Sequence, residues 1–135
     1  MNIRDNHGIS RIKFVNYQRQ YAGSPIFVSV QVKIDLDNYR AEEEIIVELS
    51  DIEEFFVNLN ELNKYLTKTF YFQHIDEQLQ IRFDPGAEGS IGVTGYLCNK
   101  EHSKTLNFSF KTDQSELPNL LKESDNMIAF LKNGL

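Results

Sequence analysis

The histidines and the cysteine of this 135-residue sequence are few, and their spacing indicates neither a metal site nor a catalytic site. The three histidines, His7, His74 and His102, lie far apart, and no H-x-x-x-H or H-x-H motif gives two of them metal-ligand spacing. Cys98 is the one cysteine, which excludes an internal disulfide and a cysteine-based zinc site. Cys98 precedes His102 by four residues across an expected turn, and this spacing alone does not indicate a nucleophile–base pair. We therefore expect no metal, no cofactor and no catalytic residue, in a protein that is not an enzyme.

Three further patterns resemble ligand sites but are better explained by structure. The Asp35-Leu-Asp-Asn sequence lacks the glycine and the final glutamate of a calcium loop, so a hairpin turn is expected there. Glycines at 86, 89, 92 and 95 run into a strand pattern and do not open a helix, as a phosphate loop does. Gly92 and Gly95 are expected to allow a bend or a close chain approach within a strand. Glu42 and Glu44 share one strand face, where solvated charge is expected and not a general acid.

The charge of the chain is concentrated in one segment. The formal net charge is −6, which disfavours a nucleic-acid binder because phosphate binding needs clustered Lys and Arg. Residues 35–63 carry ten acids and a single base, Arg40, whereas the other 106 residues carry 13 bases and 10 acids. The whole negative excess therefore lies in about a fifth of the sequence. Such a segment is either a solvated surface or a docking surface for a basic partner.

Hydrophobic periodicity predicts seven strands and two helices. Alternating apolar residues predict strands over 12–17, 25–36 and 39–49, with Glu43 out of phase in the third, so that fraying or a bulge is expected there. The period changes after Ser50, where Ser50 and Glu53 form a predicted capping box for an amphipathic helix over 51–66. Strands follow over 69–75, 78–84, 90–98 and 105–111, joined by connections too short for parallel pairing. A second helix is expected to start at Ser115, its N-cap.

These elements predict an α+β fold in the order βββ-α-ββββ-α. We expect a single domain over residues 1–135, with residues 1–10 as a loosely ordered lead-in. The expected architecture is a single curved antiparallel sheet of six to seven strands, with both helices packed on one face. Its other face would be polar and aromatic, formed by Phe27, Ser29, Gln31, Glu44, Glu48, Tyr71, Gln73, Gln80, Arg82, Thr94, Tyr96, Asn107 and Ser109.

Three stretches of the sequence carry a family resemblance. They are LSDIEEFFVNLNEL from Leu49, GSIGVTG from Gly89 and LNFSFKTDQSEL from Leu106. In this order and spacing they resemble the WapI-like immunity proteins of bacterial polymorphic-toxin systems, over roughly residues 25–131. The chain departs from the pattern at Ile26-Phe27, where members often have a tryptophan, and at Ser90, where many have a histidine.

The resemblance implies a cytoplasmic protein that binds and blocks a cognate toxin domain. Many such toxins are nucleases with basic substrate sites, which an acidic protein can occupy as a phosphate mimic. The absence of a long apolar run and of a secretory signal agrees with a cytoplasmic protein without membrane or nucleic-acid partners. The alternative is a module that binds a peptide or small molecule on the polar-aromatic sheet face or in a cavity. The residues expected to contact the protein partner are Glu42, Glu44, Glu48, Glu54, Glu61, Tyr71 and Tyr96.

Overall fold

Two four-stranded antiparallel sheets and two helices make up the fold. The computed structural model describes residues 1–20, 23–66, 68–73 and 76–133. Sheet A contains the first four strands and sheet B the last four, and within each sheet the neighbouring strands follow chain order. The strands of sheet A are β1 (Asn2–Arg4), β2 (Ser10–Arg19), β3 (Phe27–Asp35) and β4 (Arg40–Glu48). They are followed by α1 (Leu49–Tyr65), β5 (Phe70–Gln73), β6 (Leu79–Pro85), β7 (Ser90–Cys98), β8 (Thr105–Asp113) and α2 (Leu117–Lys132).

The prediction of one curved sheet is wrong, because β4 and β5 do not pair. β4 runs directly into α1, and a 17-residue helix extends the chain by roughly 25 Å at 1.5 Å per residue. The next strand therefore begins a second sheet instead of extending the first. The two sheets meet through the core, where the rings of Phe14 on β2 and Phe72 on β5 contact edge to face with centroids 6.5 Å apart.

Sheet A also contains a strand that was not expected. Where the sequence indicated a loosely ordered lead-in, Asn2–Arg4 pair with β2 and bury Ile3. The apolar alternation of β3 is borne out, since Val28, Val30, Val32 and Ile34 are all buried. The expected irregularity at Glu43 is not found, because Glu43 pairs with Val32 in an unbroken register. In sheet A, register shifts are found between Ile3 and Arg4 in the pairing of β1 with β2, and between Val15 and Gln18 in the pairing of β2 with β3.

Both predicted helices form, although neither begins at the predicted cap. The N-cap of α1 is Glu48, and Glu48 and Asp51 form the reciprocal capping box that was assigned to Ser50 and Glu53. The shift arises because β4 continues to Glu48 and leaves no turn between strand and helix. α2 begins after Glu116 with Pro118 in its first turn, and no side chain caps it.

The aromatic centre of the core joins α1 to sheet B. Phe55 of α1 contacts Phe70, Phe72 and Phe83, and the rings of Phe70 and Phe83 stack at 4.7 Å. α1 packs along β4 and β5 and against α2, which itself covers β1. α1 therefore contacts the last strand of sheet A and the first strand of sheet B. Within the described ranges, no helix is long and apolar enough to cross a membrane.

Candidate protein-binding surface

Three of the ten acids between residues 35 and 63 are neutralised by the chain's own bases. Asp35 pairs with Arg40 at 3.2 Å, Asp37 with Arg11 at 3.1 Å and Glu53 with Lys132 at 3.1 Å. The two aspartates lie at the hairpin between β3 and β4, where backbone and guanidinium hydrogen bonds lower the pKa of Asp35. These three carboxylates therefore contribute little to an acidic surface.

The other seven acids have no basic nitrogen within 4 Å in the part of the chain that the structure describes. Glu48 and Asp51 are used in the capping box of α1, and Glu43 is half-buried on the inner side of β4. The remaining four are exposed, and they are Glu42 and Glu44 on β4 and Glu54 and Glu61 on α1. Folding therefore leaves four exposed carboxylates of this segment without an ion pair among the described residues, while bases of the chain line the same surface depressions as Glu42 and Glu44.

The exposed acids of β4 lie on the outer face of sheet A. Side chains alternate across a strand, so Glu42, Glu44 and Glu48 share this face, with Glu48 only half-exposed. Glu42 accepts a hydrogen bond from the side-chain amide of Gln31 and lies opposite Lys33 in the register. Glu44 lies opposite Gln31 and has no cation beside it in that register.

The acids of α1 line a groove beside the first strand of sheet B. Asp51, Glu54 and Asn58 follow one side of the helix and face Tyr71 and Gln73 of β5 across a space of about 190 Å³. A second stretch of about 230 Å³ continues from Asn58, lined by Glu61, Tyr65, Lys68 and Thr69. We call these two stretches together the α1–β5 groove. Its walls combine three carboxylates with two tyrosines that are more than half exposed.

Three of the predicted partner-binding residues thus come together, namely Glu54, Glu61 and Tyr71. Glu42, Glu44 and Glu48 form a separate group on sheet A. Tyr96 lies on β7 between Gln80 and Asn107, where burial raises the pKa of its hydroxyl, and it does not line the groove. Sequence reasoning missed Asp51, Asn58, Tyr65 and Gln73. For the three helical residues, the spacing 51, 54, 58, 61, 65 was a visible signal, since it marks one side of a helix.

The expected polar-aromatic face does not exist as a single surface. Its members on β3 and β4 belong to sheet A, and those from Tyr71 onward belong to sheet B. On sheet B, the guanidinium of Arg82 lies over the ring of Tyr71 at 5.6 Å and pairs with Asp84 at 2.7 Å. The alternative hypothesis of a peptide- or ligand-binding face therefore keeps only the part on sheet B, whose cross-strand neighbours are Tyr71, Gln73, Gln80, Arg82, Thr94, Tyr96, Asn107 and Ser109.

Among the described residues, the cavity found between the sheets and the helices is very small. A cavity of about 10 Å³, roughly the space of one water, lies between sheet A and α1. Only apolar side chains line it, among them Phe14, Phe55, Phe72 and Met127. Because no polar group points inward, this cavity has nothing with which to orient a polar ligand.

Cys98 and His102 are close together, but the surroundings of the thiol oppose nucleophilic chemistry. The Sγ of Cys98 lies 3.4 Å from Nδ1 of His102 and 3.4 Å from the carbonyl oxygen of Glu77. Burial raises the pKa of the Cys98 thiol, and the carboxylates of Glu43 and Glu77 raise it further. A reactive cysteine needs the opposite environment, which stabilises the thiolate. His74 lies outside the described residues, and within them no three His, Cys, Asp or Glu side chains cluster to hold a metal.

The α1–β5 groove combines exposed carboxylates with exposed tyrosines. In protein–protein interfaces, charged side chains raise the rate of association and aromatic side chains supply much of the binding energy. The surface is therefore suited to binding another protein. A family model agrees with this class of protein. It describes the immunity protein WapI-like family and matches residues 2–131, so the chain belongs to that family. Immunity proteins generally act by binding and not by catalysis. Among the curated proteins, none matches this chain.

Proposed function

We propose that this protein neutralises a basic, nuclease-type toxin domain by binding it through the acidic surfaces of β4 and α1. The observation that carries the proposal is the set of exposed carboxylates that form no ion pair within the described ranges, above all Glu44, Glu54 and Glu61. A nuclease must attract phosphates, so its substrate site is basic and complements such a surface.

The geometry supports different roles for the two acidic groups. Glu42, Glu44 and Glu48 on sheet A add to the field that would steer a basic partner toward the protein. Glu54 lies beside Tyr71, which is 52% exposed and can supply buried contact area in a complex, and Glu61 lies farther along the groove beside Tyr65. Tyr96 would contribute from the outer face of sheet B. The encounter is expected in the cytoplasm, where the free thiol of Cys98 stays reduced.

Charge reversal with a matched control tests the proposal. The triple variant Glu44→Lys, Glu54→Lys, Glu61→Lys changes the charge of the acidic surfaces by the same amount as Glu88→Lys, Glu101→Lys, Asp125→Lys changes it elsewhere. All six side chains are exposed, so both variants are expected to fold. Stopped-flow association would be measured with the toxin domain encoded by the neighbouring reading frame, over a range of salt concentrations.

At low salt, the Glu44→Lys, Glu54→Lys, Glu61→Lys variant should associate with the toxin domain at least about 10-fold more slowly than wild type. The difference should shrink as added salt screens the charges. The control variant should change much less. Equal rates for the two variants would reject binding through the acidic surfaces. If the wild-type protein failed to protect cells against that toxin domain, the proposed function itself would be wrong.

A further inference from the structure

β5 presents an open edge, and the hydrogen-bond pattern shows which groups face it. The backbone bonds from Cys98 to Gln78 and from Gly86 to Ser90 show that even-numbered residues of β6 bond to β7. The odd-numbered residues of β6 therefore face β5, where Phe83 and Ile81 are opposite Phe70 and Phe72. By the same alternation, Tyr71 and Gln73 direct their N–H and C=O groups away from the sheet. In the described residues, no hydrogen bond reaches these outward groups.

The other three edge strands have hydrogen bonds or charged side chains that hinder pairing with a strand of another molecule, whereas β5 has neither along its described residues. The backbone N–H of Asn2 on β1 donates to Glu123 of α2. Lys111 lies on the open side of β8, and its carbonyl accepts a hydrogen bond from Asn6. β4 has Glu42, Glu44 and Glu48 along its open side. Charged side chains of this kind protect edge strands from unwanted pairing. β5 reads Phe-Tyr-Phe-Gln and has no charge or proline.

The α1–β5 groove places negatively charged side chains of α1 beside the open edge of β5. An added strand would point alternate side chains in the direction of Phe70 and Phe72, which is the direction of α1. There it would meet Asp51, Glu54 and Glu61, while Lys68 is the base that lines the same groove. A strand with basic side chains at alternate positions complements both the backbone and the charge of this groove.

We propose that β5 pairs with an extended basic segment of the partner, which becomes a fifth strand of sheet B and points its basic side chains at Glu54 and Glu61. The inference rests on the proposed function and adds the mode of recognition, in which backbone hydrogen bonds give affinity and alternate side chains give specificity. Pairing with a second copy of this chain is disfavoured, because it would bring two acidic α1 helices to the same junction.

A defined peptide tests the inference without the toxin. The probe is the acetylated and amidated octapeptide (Lys-Val)4, and its control is the same peptide methylated on every residue's backbone nitrogen, which keeps the lysine charges but removes the backbone N–H donors along the strand. Binding would be followed by amide chemical shifts in nitrogen-15 spectra. The unmethylated peptide should shift the Tyr71 and Gln73 amides most, and the methylated peptide should not.

Two variants of the protein separate backbone pairing from charge attraction. Gln73→Pro removes an outward N–H without touching the β5–β6 bonds, as proline is tolerated on strand edges, and Gln73→Thr keeps the N–H. The dissociation constant for the peptide should rise about three- to tenfold in Gln73→Pro, as for one lost backbone hydrogen bond, and should stay near the wild-type value in Gln73→Thr. A melting curve of each variant confirms folding.

Shifts centred on β4, or equal binding of both peptides, would overturn strand addition at β5. Measuring how tightly the toxin domain binds wild type and Gln73→Pro separates failure of strand addition from failure of the proposed function. If the toxin binds Gln73→Pro as tightly as wild type, the inference is wrong while the proposed function stands. If the wild-type protein does not bind the toxin and (Lys-Val)4 still pairs with β5, the proposed function is wrong and the open edge serves a different basic partner.

Discussion

The side chains of Phe14 and Phe72 meet edge to face, and through this contact the two sheets share one core. Phe72 also contacts Phe55 of α1, at a centroid distance of 5.5 Å. The same strand turns Tyr71 outward, where the ring is 52% exposed. Neighbouring residues on β5 therefore serve opposite purposes, since one holds the fold together and the other is available to a partner.

Replacing Phe72 should destabilise the protein far more than replacing its neighbour. Phe72→Ala removes a buried ring at the junction of both sheets and α1, so the free energy of unfolding should fall by about 3–5 kcal/mol. Tyr71→Ala should cost roughly 1 kcal/mol or less, as is usual for a surface position. Urea denaturation of both variants measures the difference. Similar losses in the two variants would contradict the assignment of Phe72 to the core.

Gly95 should not tolerate a side chain, whereas Gly92 on the same strand should. A Cβ on Gly95 would lie 1.8 Å from the carbonyl oxygen of Gln80 and 2.8 Å from Cζ of Phe108, so β6 or β8 would have to move. A Cβ on Gly92 would have ordinary contacts at 3.8 Å. Gly95→Ala should lower the free energy of unfolding by about 3 kcal/mol or more, while Gly92→Ala should change it little. Thermal melts of the two variants under one set of conditions measure this, and equal melting temperatures would refute it.

Asp5 should contribute stability that disappears in acid. Burial alone would raise the pKa of Asp5, but the N–H groups of Ile9 and His7 and the guanidinium of Arg11 outweigh it and hold the pKa below its usual value. A carboxyl with a lowered folded-state pKa favours the folded state above its unfolded pKa of about 3.9, and this contribution is lost as the pH falls through the folded value.

The variant Asp5→Asn tests this linkage. It should lower the free energy of unfolding at pH 7 by about 1–3 kcal/mol, because the bond to Arg11 loses its charge. Below about pH 4 the difference from wild type should shrink, since the wild-type carboxyl then takes up its proton. Urea unfolding at several pH values gives both results. A difference independent of pH would show that the charge of Asp5 is not the cause.

The Cys98 thiol should react slowly with alkylating reagents at neutral pH. Burial and the carboxylates of Glu43 and Glu77 raise its pKa, so little thiolate is present. Glu43→Gln removes one of these charges and should speed alkylation by iodoacetamide, whereas Glu101→Gln should not. Mass spectrometry over time measures the rates. A wild-type thiol that reacts at pH 7 as fast as free cysteine would contradict the assignment.

Local sequence patterns predicted most elements but not how they assemble. The alternation in β3 and the helical spacing in α1 were sufficient because each reports which side of a single element is buried. The cap of α1 was assigned two residues late, since Ser50 and Glu53 match the sequence pattern of a capping box and have the same spacing as Glu48 and Asp51. β1 was missed because three residues are too short to show a period, and Ile3 is buried only through pairing with β2.

The sequence by itself determined seven of the eight described strands, both helices and the excess of negative charge in residues 35–63, because periodicity and charge are properties of neighbouring residues. Tertiary structure alone decided that α1 divides the strands into two sheets, which separated Glu44 from Tyr96 and brought Glu54 to Tyr71. It also decided which carboxylates the chain's own bases neutralise. These outcomes depend on long-range packing, where Phe14, Phe55 and Phe72 meet across the core, and no local pattern of residues encodes such contacts.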